Sequence, residues 1–216
     1  MKDKLFPATI LPTACFPNAA YLFYIENSEK IFIELHETYP KQTWRNRYSI
    51  MTSNGVLDLS IPVKKPEGNN TKTKDIIIDH TQKWQHNHWR AIESGYKKSP
   101  FYFYYEELIA QFFRSKHAET LVEWNSSILS SITEEFGLNK NFSFTDSFRH
   151  SHNDANDMRY KISPKAKENE EYLIFSGYTQ VFMEKHPFVQ NLSVIDLIFN
   201  IGPDIKMYIR KMAKDF

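Results

Sequence analysis

Glycine and cysteine are both scarce in this chain of 216 residues, which holds 6 glycines and a single cysteine. It has neither the glycine-rich fingerprint that binds dinucleotides nor the loop that cradles nucleoside triphosphates, and no Gly-x-Ser-x-Gly turn marks a nucleophilic serine. We therefore predict no cofactor. Cys15 has no second cysteine to pair with and no histidine signature around it, so we interpret it as a small core residue of a protein from a reducing compartment.

Charge of one sign and long apolar runs are missing as well. The net charge is +1, so the chain has no general electrostatic attraction for nucleic acid or an anionic membrane. No apolar run reaches the roughly 18 residues that a membrane-spanning helix needs. The apolar start of the chain is interrupted by Pro7, Pro12 and Pro17, unlike a signal peptide. We predict a cytoplasmic protein with no membrane span and no nucleic-acid partner.

Aromatic residues, by contrast, are abundant. They make up 15% of a chain whose hydrophobic fraction is 41%, which favours a dense core and some rings beside a cleft. Strand-like patterns dominate the first 80 residues, and helical patterns follow. We predict a mixed α/β fold, a single compact unit over residues 1–216, with a sheet-forming N-terminal half (5–80) and a mainly helical C-terminal half (81–216).

Local patterns divide the chain into elements. Strands are predicted at 6–11, 30–35, 75–79 and 142–148, with a hairpin at 47–52 and 56–63. Helices are predicted at 21–27, 82–98, 101–113, 119–136, 193–200 and 204–214. Gly137 should end one helix in a left-handed conformation, and Ser193 with Asp196 should form a capping box at another. Residues 149–171 are predicted as a polar loop, and 171–183 as a strand or turn followed by a short helix.

Glu34, His36 and Glu37 stand at the end of the second predicted strand. Residues 34 and 36 share one face of a strand, so a carboxylate can lie beside the imidazole, fix its tautomer and raise its pKa. Such a pair suits general acid–base catalysis, with His36 as the base. The alternative is a strand end that carries ordinary polar residues.

The next loop brings cations, amides and an indole together. Its polar set is Lys41, Gln42, Trp44, Arg45, Asn46 and Arg47. Arg45 and Arg47 suit bidentate contacts with phosphate or carboxylate, and Trp44 offers a flat face for stacking. We predict that the loop binds an anionic, ring-bearing substrate such as a sugar nucleotide. The alternative is a structural network in which one arginine pairs with Glu34 or Glu37.

Further histidines are weaker candidates. His86 and His88 lie on a predicted helix, where residues two apart point to different faces, so His88 is the better cleft residue and an alternative base. His150 and His152 precede two aspartates in a polar loop, and these are ligand types of zinc or manganese without a tight metal motif. We predict no metal site; the alternative is a metal hydrolase that uses His150 and His152.

Several segments, in order along nearly the whole chain, resemble one bacterial family. They include Lys41-Gln-Thr-Trp-Arg-Asn-Arg47, Leu59-Ser-Ile-Pro-Val63, Arg159-Tyr160 and the run Leu192-Ser-Val-Ile-Asp-Leu197. The chain resembles the WbqC-like proteins. Many members carry Leu-Asp-Asp where this chain has Glu34-Leu-His36-Glu37, and this version resembles the Bacteroidetes branch. The resemblance implies a place in surface-polysaccharide and O-antigen gene clusters, where a glycyl- or acyl-transferase role has been suggested.

Two hypotheses follow. The first is a transferase that moves an acyl, aminoacyl or glycosyl-type group to a nucleotide-linked or lipid-linked sugar. In it, Arg45 and Arg47 hold the anionic group, Trp44 stacks, and His36 with Glu34 deprotonates a sugar amine or hydroxyl. The second is a non-catalytic binding or scaffold protein of the same pathway, which uses the aromatic-rich segment 101–113.

Overall fold

The fold is described from a computed structural model, over residues 5–114, 118–152, 154–164 and 173–212. In chain order its helices and strands are β1 (Phe6–Pro12), α1 (Ala19–Asn27), β2 (Ser28–Glu34), β3 (Arg47–Thr52), β4 (Gly55–Ser60), β5 (Val63–Lys64), β6 (Ile77–Ile78), α2 (Trp84–Tyr96), α3 (Tyr102–Arg114), α4 (Leu121–Glu135), β7 (Phe142–Phe144), β8 (Asn156–Asp157), α5 (Val194–Ile201) and α6 (Ile205–Lys211). The predicted mixed α/β class is confirmed.

A four-stranded parallel sheet, ordered β7-β2-β1-β8, positions the candidate site. Parallel neighbours need a crossover, and α1 supplies it between β1 and β2. The helix begins after Asn18, whose side chain accepts a hydrogen bond from the backbone N–H of Tyr21. Every residue of α1 from Ala19 to Glu26 is buried, so α1 and the sheet share one core.

The strand β8 lies inside residues 149–171, and the prediction of an uninterrupted loop there is wrong. Asparagine and aspartate are poor strand formers, so no local pattern marks this strand. It exists because β1 has a free edge, along which Thr9 pairs with Asn156 and Ile10 with Asp157. On the other side of the sheet, β7 ends at Phe144 although the pattern predicts a strand to 148. The second half of the chain thus contributes two strands to the sheet.

Local signals predict the remaining elements well. The predicted hairpin of β3 and β4 forms, but its two-residue loop is Ser53-Asn54, and Gly55, with a φ of +100°, is the first residue of β4 and pairs with Thr52. The strand expected at 75–79 is reduced to β6, which pairs with β5. Helices α2, α3 and α4 begin and end within a few residues of their predicted limits. Gly137 has a φ of +60°, which confirms the left-handed end of α4.

The predicted capping box at α5 is wrong. Ser193 occupies the N-cap position, but its hydroxyl makes no capping hydrogen bond. The carboxylate of Asp196 instead accepts hydrogen bonds from side chains of other segments. A capping box does form at α4, where Thr120 and Glu123 each bind the other's backbone N–H.

Three predicted segments extend beyond the described residues. Positions 153 and 165–171 of the predicted polar loop lie outside them, as do positions 171 and 172 of the segment that follows it. The described part of that following segment has no regular secondary structure over 174–180 and forms a turn over 181–185, so the prediction of a short helix there is wrong. Positions 213 and 214 of the last predicted helix also lie outside, and α6 ends at Lys211.

Gly95→Ala is expected to destabilise the protein. An added Cβ would lie 2.7 Å from the backbone carbonyl oxygen of Met51 in β3, so α2 would have to shift away from the hairpin. We expect a loss of about 1–3 kcal/mol in the free energy of unfolding, measured by urea denaturation. Gly177→Ala is the control, because nothing lies within 4 Å of its Cβ position. Equal effects of the two substitutions would contradict this packing argument.

Candidate functional site

The carboxyl ends of the parallel strands lie at one edge of the sheet, and the segments that leave them meet there. In parallel sheets, ligands bind outside this edge, where neighbouring strands connect in opposite directions. Here β1 connects to β2 on one side, whereas β8 flanks it on the other. The segments that follow β1 and β8, residues 13–18 and 158–164, therefore border the expected position of a ligand.

Arg159 is the centre of a buried ion-pair network at this edge. Its guanidinium contacts Glu34 (3.2 Å) and Asp157 (2.6 Å), and neither Arg159 nor Glu34 has exposed side-chain surface. The backbone carbonyls of Arg149 and His150 accept further hydrogen bonds from it, at 2.8 and 3.3 Å. Burial would raise the pKa of Asp157, but the hydrogen bonds from Arg159 hold it below its ordinary value. Through these ion pairs Arg159 connects Glu34 of β2 with Asp157 of β8, two strands that lie on either side of β1.

A second buried pair, Arg45 with Glu37, lies beside the first. The two side chains are 2.5 Å apart and each is about 1% exposed. Arg45 also donates to the backbone carbonyl of Arg159 at 3.4 Å, so the two networks are continuous. Burial raises the pKa of Glu37, and the Arg45 guanidinium opposes that rise. From α4, Asn125 donates to the Arg45 carbonyl (2.8 Å) and to the Thr13 hydroxyl (3.0 Å).

Glu34 does not hold the imidazole of His36. Its Oε1 accepts hydrogen bonds from the backbone N–H of His36 (2.7 Å) and the hydroxyl of Thr145 (3.1 Å), and its Oε2 contacts Arg159. The half-buried His36 side chain makes no hydrogen bond within the described part of the chain. The structure therefore places Glu34 inside the network and leaves His36 at its margin.

The loop from Lys41 to Arg47 divides its side chains between structure and surface. Arg45 is buried, and Asn46 donates to the backbone carbonyl of Ile61 at 2.8 Å. Lys41 and Gln42 are exposed. Trp44 and Arg47 border a crevice, where the Arg47 guanidinium also contacts Ser60 and, at 3.8 Å, Asp58.

His88 lies in the core and has no contact with the ion pairs described above. Its Nδ1 is 3.0 Å from the hydroxyl of Tyr48, and the rings of Trp84 and Phe113 pack around it. Burial lowers its pKa to about 4, so the imidazole is neutral at physiological pH. His88 is therefore a buried hydrogen-bond partner of Tyr48, whereas His86 on the same helix is exposed.

A crevice of about 250 Å³ opens beside Trp44, and we call it the Trp44 crevice. It lies where the segments after β1 and β8 meet residues 189–192. Its polar and aromatic lining consists of Asn18, Tyr24, Trp44, Ser49, Lys161, Ser163, Gln190 and Asn191. A small hollow continues it toward Cys15, Tyr48 and Arg47. Sequence reasoning found Trp44 but missed Asn18, Lys161 and Asn191, because nothing local indicates that their segments meet.

Backbone strain is concentrated around this crevice. Among the described residues, the non-glycine positions with positive φ are Phe16 (39°), Gln42 (58°) and Asn191 (59°). They belong to three segments beside Trp44, which are residues 13–18, 41–47 and 189–192. A hydrogen bond from the Cys15 N–H to the Trp44 carbonyl, at 2.9 Å, joins the first two. Left-handed backbone at non-glycine residues is costly and is common at functional sites.

Asp196 fixes the third of these segments. Its carboxylate accepts hydrogen bonds from Tyr96 (2.9 Å), Tyr178 (2.5 Å) and Gln180 (2.9 Å). The carboxamide of Gln180 also binds the backbone N–H and carbonyl of Val189, each at 2.9 Å. A carboxylate inside the apolar run of α5 is the sequence signal that could have identified this support for Gln190 and Asn191.

The described part of the chain contains neither a cluster of metal ligands nor a membrane-spanning helix. No three histidine, cysteine, aspartate or glutamate side chains converge there in a way that could hold a metal ion. No helix there is long and apolar enough to cross a bilayer.

Arg159→Met is expected to destabilise the protein strongly. It leaves Glu34 buried without a counter-ion, and breaking such pairs costs about 3–5 kcal/mol in the free energy of unfolding. Lys97→Met is the control, since Lys97 is 60% exposed and its pair with Glu93 is worth at most about 0.5 kcal/mol. Urea unfolding of the two variants measures the difference. A loss in the Arg159 variant as small as in the control would rule out a stabilising network.

His88→Gln is expected to reduce the acid sensitivity of the fold. The folded-state pKa of about 4 lies below the ordinary 6.5, so the unfolded chain binds more protons between these values. The stability contributed by neutral His88 is full above about pH 6.5 and is lost as the pH falls toward about 4. Urea unfolding at several pH values should therefore show a steeper loss in the wild type than in the variant. Parallel curves would be incompatible with a buried, neutral His88.

Comparisons with known proteins agree with the resemblance noted from the sequence. A family model described as the WbqC-like protein family matches residues 13–177. The uncharacterised protein Rv1507c of Mycobacterium tuberculosis is similar to the chain, with 23% identity over 223 residues, which cover 93% of this chain and 96% of that protein. No solved structure shows a significant match. The matched segment contains both buried ion pairs and Trp44, and the chain belongs to the WbqC-like protein family.

Proposed function

We propose that the Trp44 crevice binds the sugar of a nucleotide-linked or lipid-linked substrate, and that the protein is a cytoplasmic transferase of surface-polysaccharide or O-antigen assembly. The observation that carries the proposal is the lining of the crevice, which combines an indole, three carboxamides and one lysine. The pathway rests on the resemblance to the WbqC-like proteins.

The lining suits a phosphorylated sugar. The half-buried indole of Trp44 offers an apolar face to the C–H groups of a sugar ring, and the carboxamides of Asn18, Gln190 and Asn191 line the same crevice. The oxygens of Asn18 and Asn191 accept hydrogen bonds from the backbone N–H groups of Tyr21 and Ala20, and each oxygen has a second lone pair for a sugar hydroxyl. Lys161, at the rim, supplies a positive charge for a phosphate. The arrangement differs from the first expectation, in which Arg45 held the anion, because Arg45 is engaged with Glu37.

The chemistry that we propose is transfer of an acyl, aminoacyl or glycosyl-type group to the bound sugar. In the acyl case, a base removes a proton from a sugar amine or hydroxyl as that atom bonds to the donor's carbonyl carbon and the donor's leaving group departs. His36 is the proposed base, because it follows β2 at the same sheet edge and its side chain has no hydrogen bond within the described residues. His36 does not line the crevice. The amine or hydroxyl of the bound sugar would therefore have to project out of the crevice toward the end of β2, where His36 lies.

A second candidate function is a binding or scaffold protein of the same pathway without catalysis. The lining of the Trp44 crevice contains no carboxylate and no imidazole among the described residues. On α3, Phe103 and Tyr104 are 76% and 81% exposed, which provides an aromatic surface for a partner.

Trp44→Ala is expected to abolish ligand-induced stabilisation. We would screen the wild type by thermal shift against sugar nucleotides and lipid-linked sugar analogues. A ligand at about 100 times its dissociation constant adds about 2.7 kcal/mol to the free energy of unfolding. Phe103→Ala is the control, since it removes an aromatic ring outside the crevice and should keep the shift. An undiminished shift in the Trp44 variant would refute binding in the crevice.

The same ligand separates the two candidate functions. Incubated with acyl and aminoacyl donors, the wild type should yield a modified sugar detectable by mass spectrometry. His36→Ala should bind the ligand normally and yield far less product, since general bases contribute about 10²–10⁴-fold. Binding without any product would favour the scaffold function.

A further inference from the structure

A second cavity lies on the face of the parallel sheet, and no part of the proposed function uses it. Its volume is about 270 Å³, and it lies between the sheet and described residues of the segment after β7, within 145–152 and 154–155. We call it the sheet-face cavity. It shares no lining residue with the Trp44 crevice, so an inference about its ligand does not depend on the proposed function.

The floor of the sheet-face cavity is apolar. Ala8 and Ile10 are alternate residues of β1 and point to one face of the sheet, and Ile10 is in register with Phe32 of β2. Phe144, at the end of the edge strand β7, also borders the cavity and is 44% exposed. Ala8 and Phe32 are partly exposed, whereas Ile10 is only 2% exposed, so Ala8 and Phe32 form the accessible part of the floor. A partly open apolar floor in a concavity of this volume suits the hydrocarbon part of a small ligand.

The rim carries charges of both signs that do not neutralise one another. Arg149, Asp146 and Asp154 all line the cavity, and none of them forms an ion pair within the described part of the chain. The cation and the carboxylates are therefore separated by more than the 4 Å of a salt bridge. The same rim holds His152, whose buried Nε2 has no hydrogen-bond partner among the described residues.

The separated charges of the rim and the apolar floor indicate which chemical groups a ligand of this cavity should carry. A guanidinium binds a carboxylate in bidentate fashion, and an aspartate accepts hydrogen bonds from an ammonium group. The unpartnered imidazole nitrogen gains a partner when either group enters. A ligand with only one charge would leave the opposite side of the rim unused, and a fully polar one would leave the floor in contact with water.

We propose that the sheet-face cavity binds a small zwitterion with an apolar group, of the class of the free α-amino acids with aliphatic or aromatic side chains. The carboxylate of the ligand contacts Arg149, its ammonium contacts Asp146 or Asp154, and its side chain covers Ala8 and Phe32. Residues 149 and 150, beside the ligand, also accept hydrogen bonds from Arg159 through their carbonyls, so a bound ligand stabilises the same residues that complete the ion-pair network.

Calorimetric titration with L-leucine and two matched analogues tests the proposal. The analogue 3-methylbutylamine lacks the carboxylate, and 4-methylpentanoate lacks the ammonium. Leucine should bind at least about tenfold more tightly than either analogue, because each lost group forfeits a charge-assisted contact. L-serine should bind more weakly than leucine, since it leaves the floor uncovered. No binding of leucine at millimolar concentration, or equal binding of leucine and one analogue, overturns the proposal.

Variants of exposed rim residues assign the two ends of the ligand. Arg149→Gln should weaken leucine about tenfold and leave 3-methylbutylamine unchanged, whereas Asp154→Asn together with Asp146→Asn should weaken both. Arg114→Gln is the matched control, because Arg114 is an exposed arginine of α3 that pairs with Glu107 outside the cavity. Unchanged leucine affinity in both the Arg149 and the aspartate variants would place the ligand elsewhere and overturn the assignment.

Discussion

A guanidinium with no exposed surface is the constraint on which this edge of the molecule depends. Arg159 can be buried only if its charge and its donors are satisfied, and Glu34, Asp157 and two backbone carbonyls do so together. Those partners come from the end of β2, from β8 and from the segment between β7 and β8. Satisfying one side chain therefore determines where three segments of the chain must lie.

The Trp44 crevice follows from the same constraint. Arg45 is linked to the Arg159 carbonyl and to Glu37, and it immediately follows Trp44, so the network sets the position of the loop that presents the indole. The opposite wall depends on Asp196, which holds Gln180 and thereby residues 189–192. Two buried carboxylate centres, one at each side, thus support a cleft whose own lining is mostly neutral.

Much of the fold was accessible from the sequence because its signals are local. Hydrophobic pattern and the Asn54-Gly55 turn predict β1, α1, β2 and the hairpin, and the resemblance to the family was confirmed. The strand β8 was missed because Asn156 and Asp157 owe their conformation to pairing with β1. The pair of Arg45 with Glu37 was predicted only as an alternative, and the pairs of Arg159 were not predicted, because charge alone does not tell a ligand-binding arginine from a buried one. We predicted that the Glu34 carboxylate lies beside the imidazole of His36, two residues away in the sequence. In the structure this carboxylate forms an ion pair with Arg159, which is 125 residues away.

The salt bridge between Glu34 and Arg159 also has a consequence for the order in which the chain becomes native during synthesis. Glu34 leaves the ribosome long before Arg159, and burying a carboxylate without its counter-ion is costly. The nascent N-terminal half, although it contains β1, α1 and β2, must keep the end of β2 hydrated until the segment through residue 159 has emerged. Sheet completion is therefore a late, long-range event, and the strand-rich half does not mature as a unit of its own.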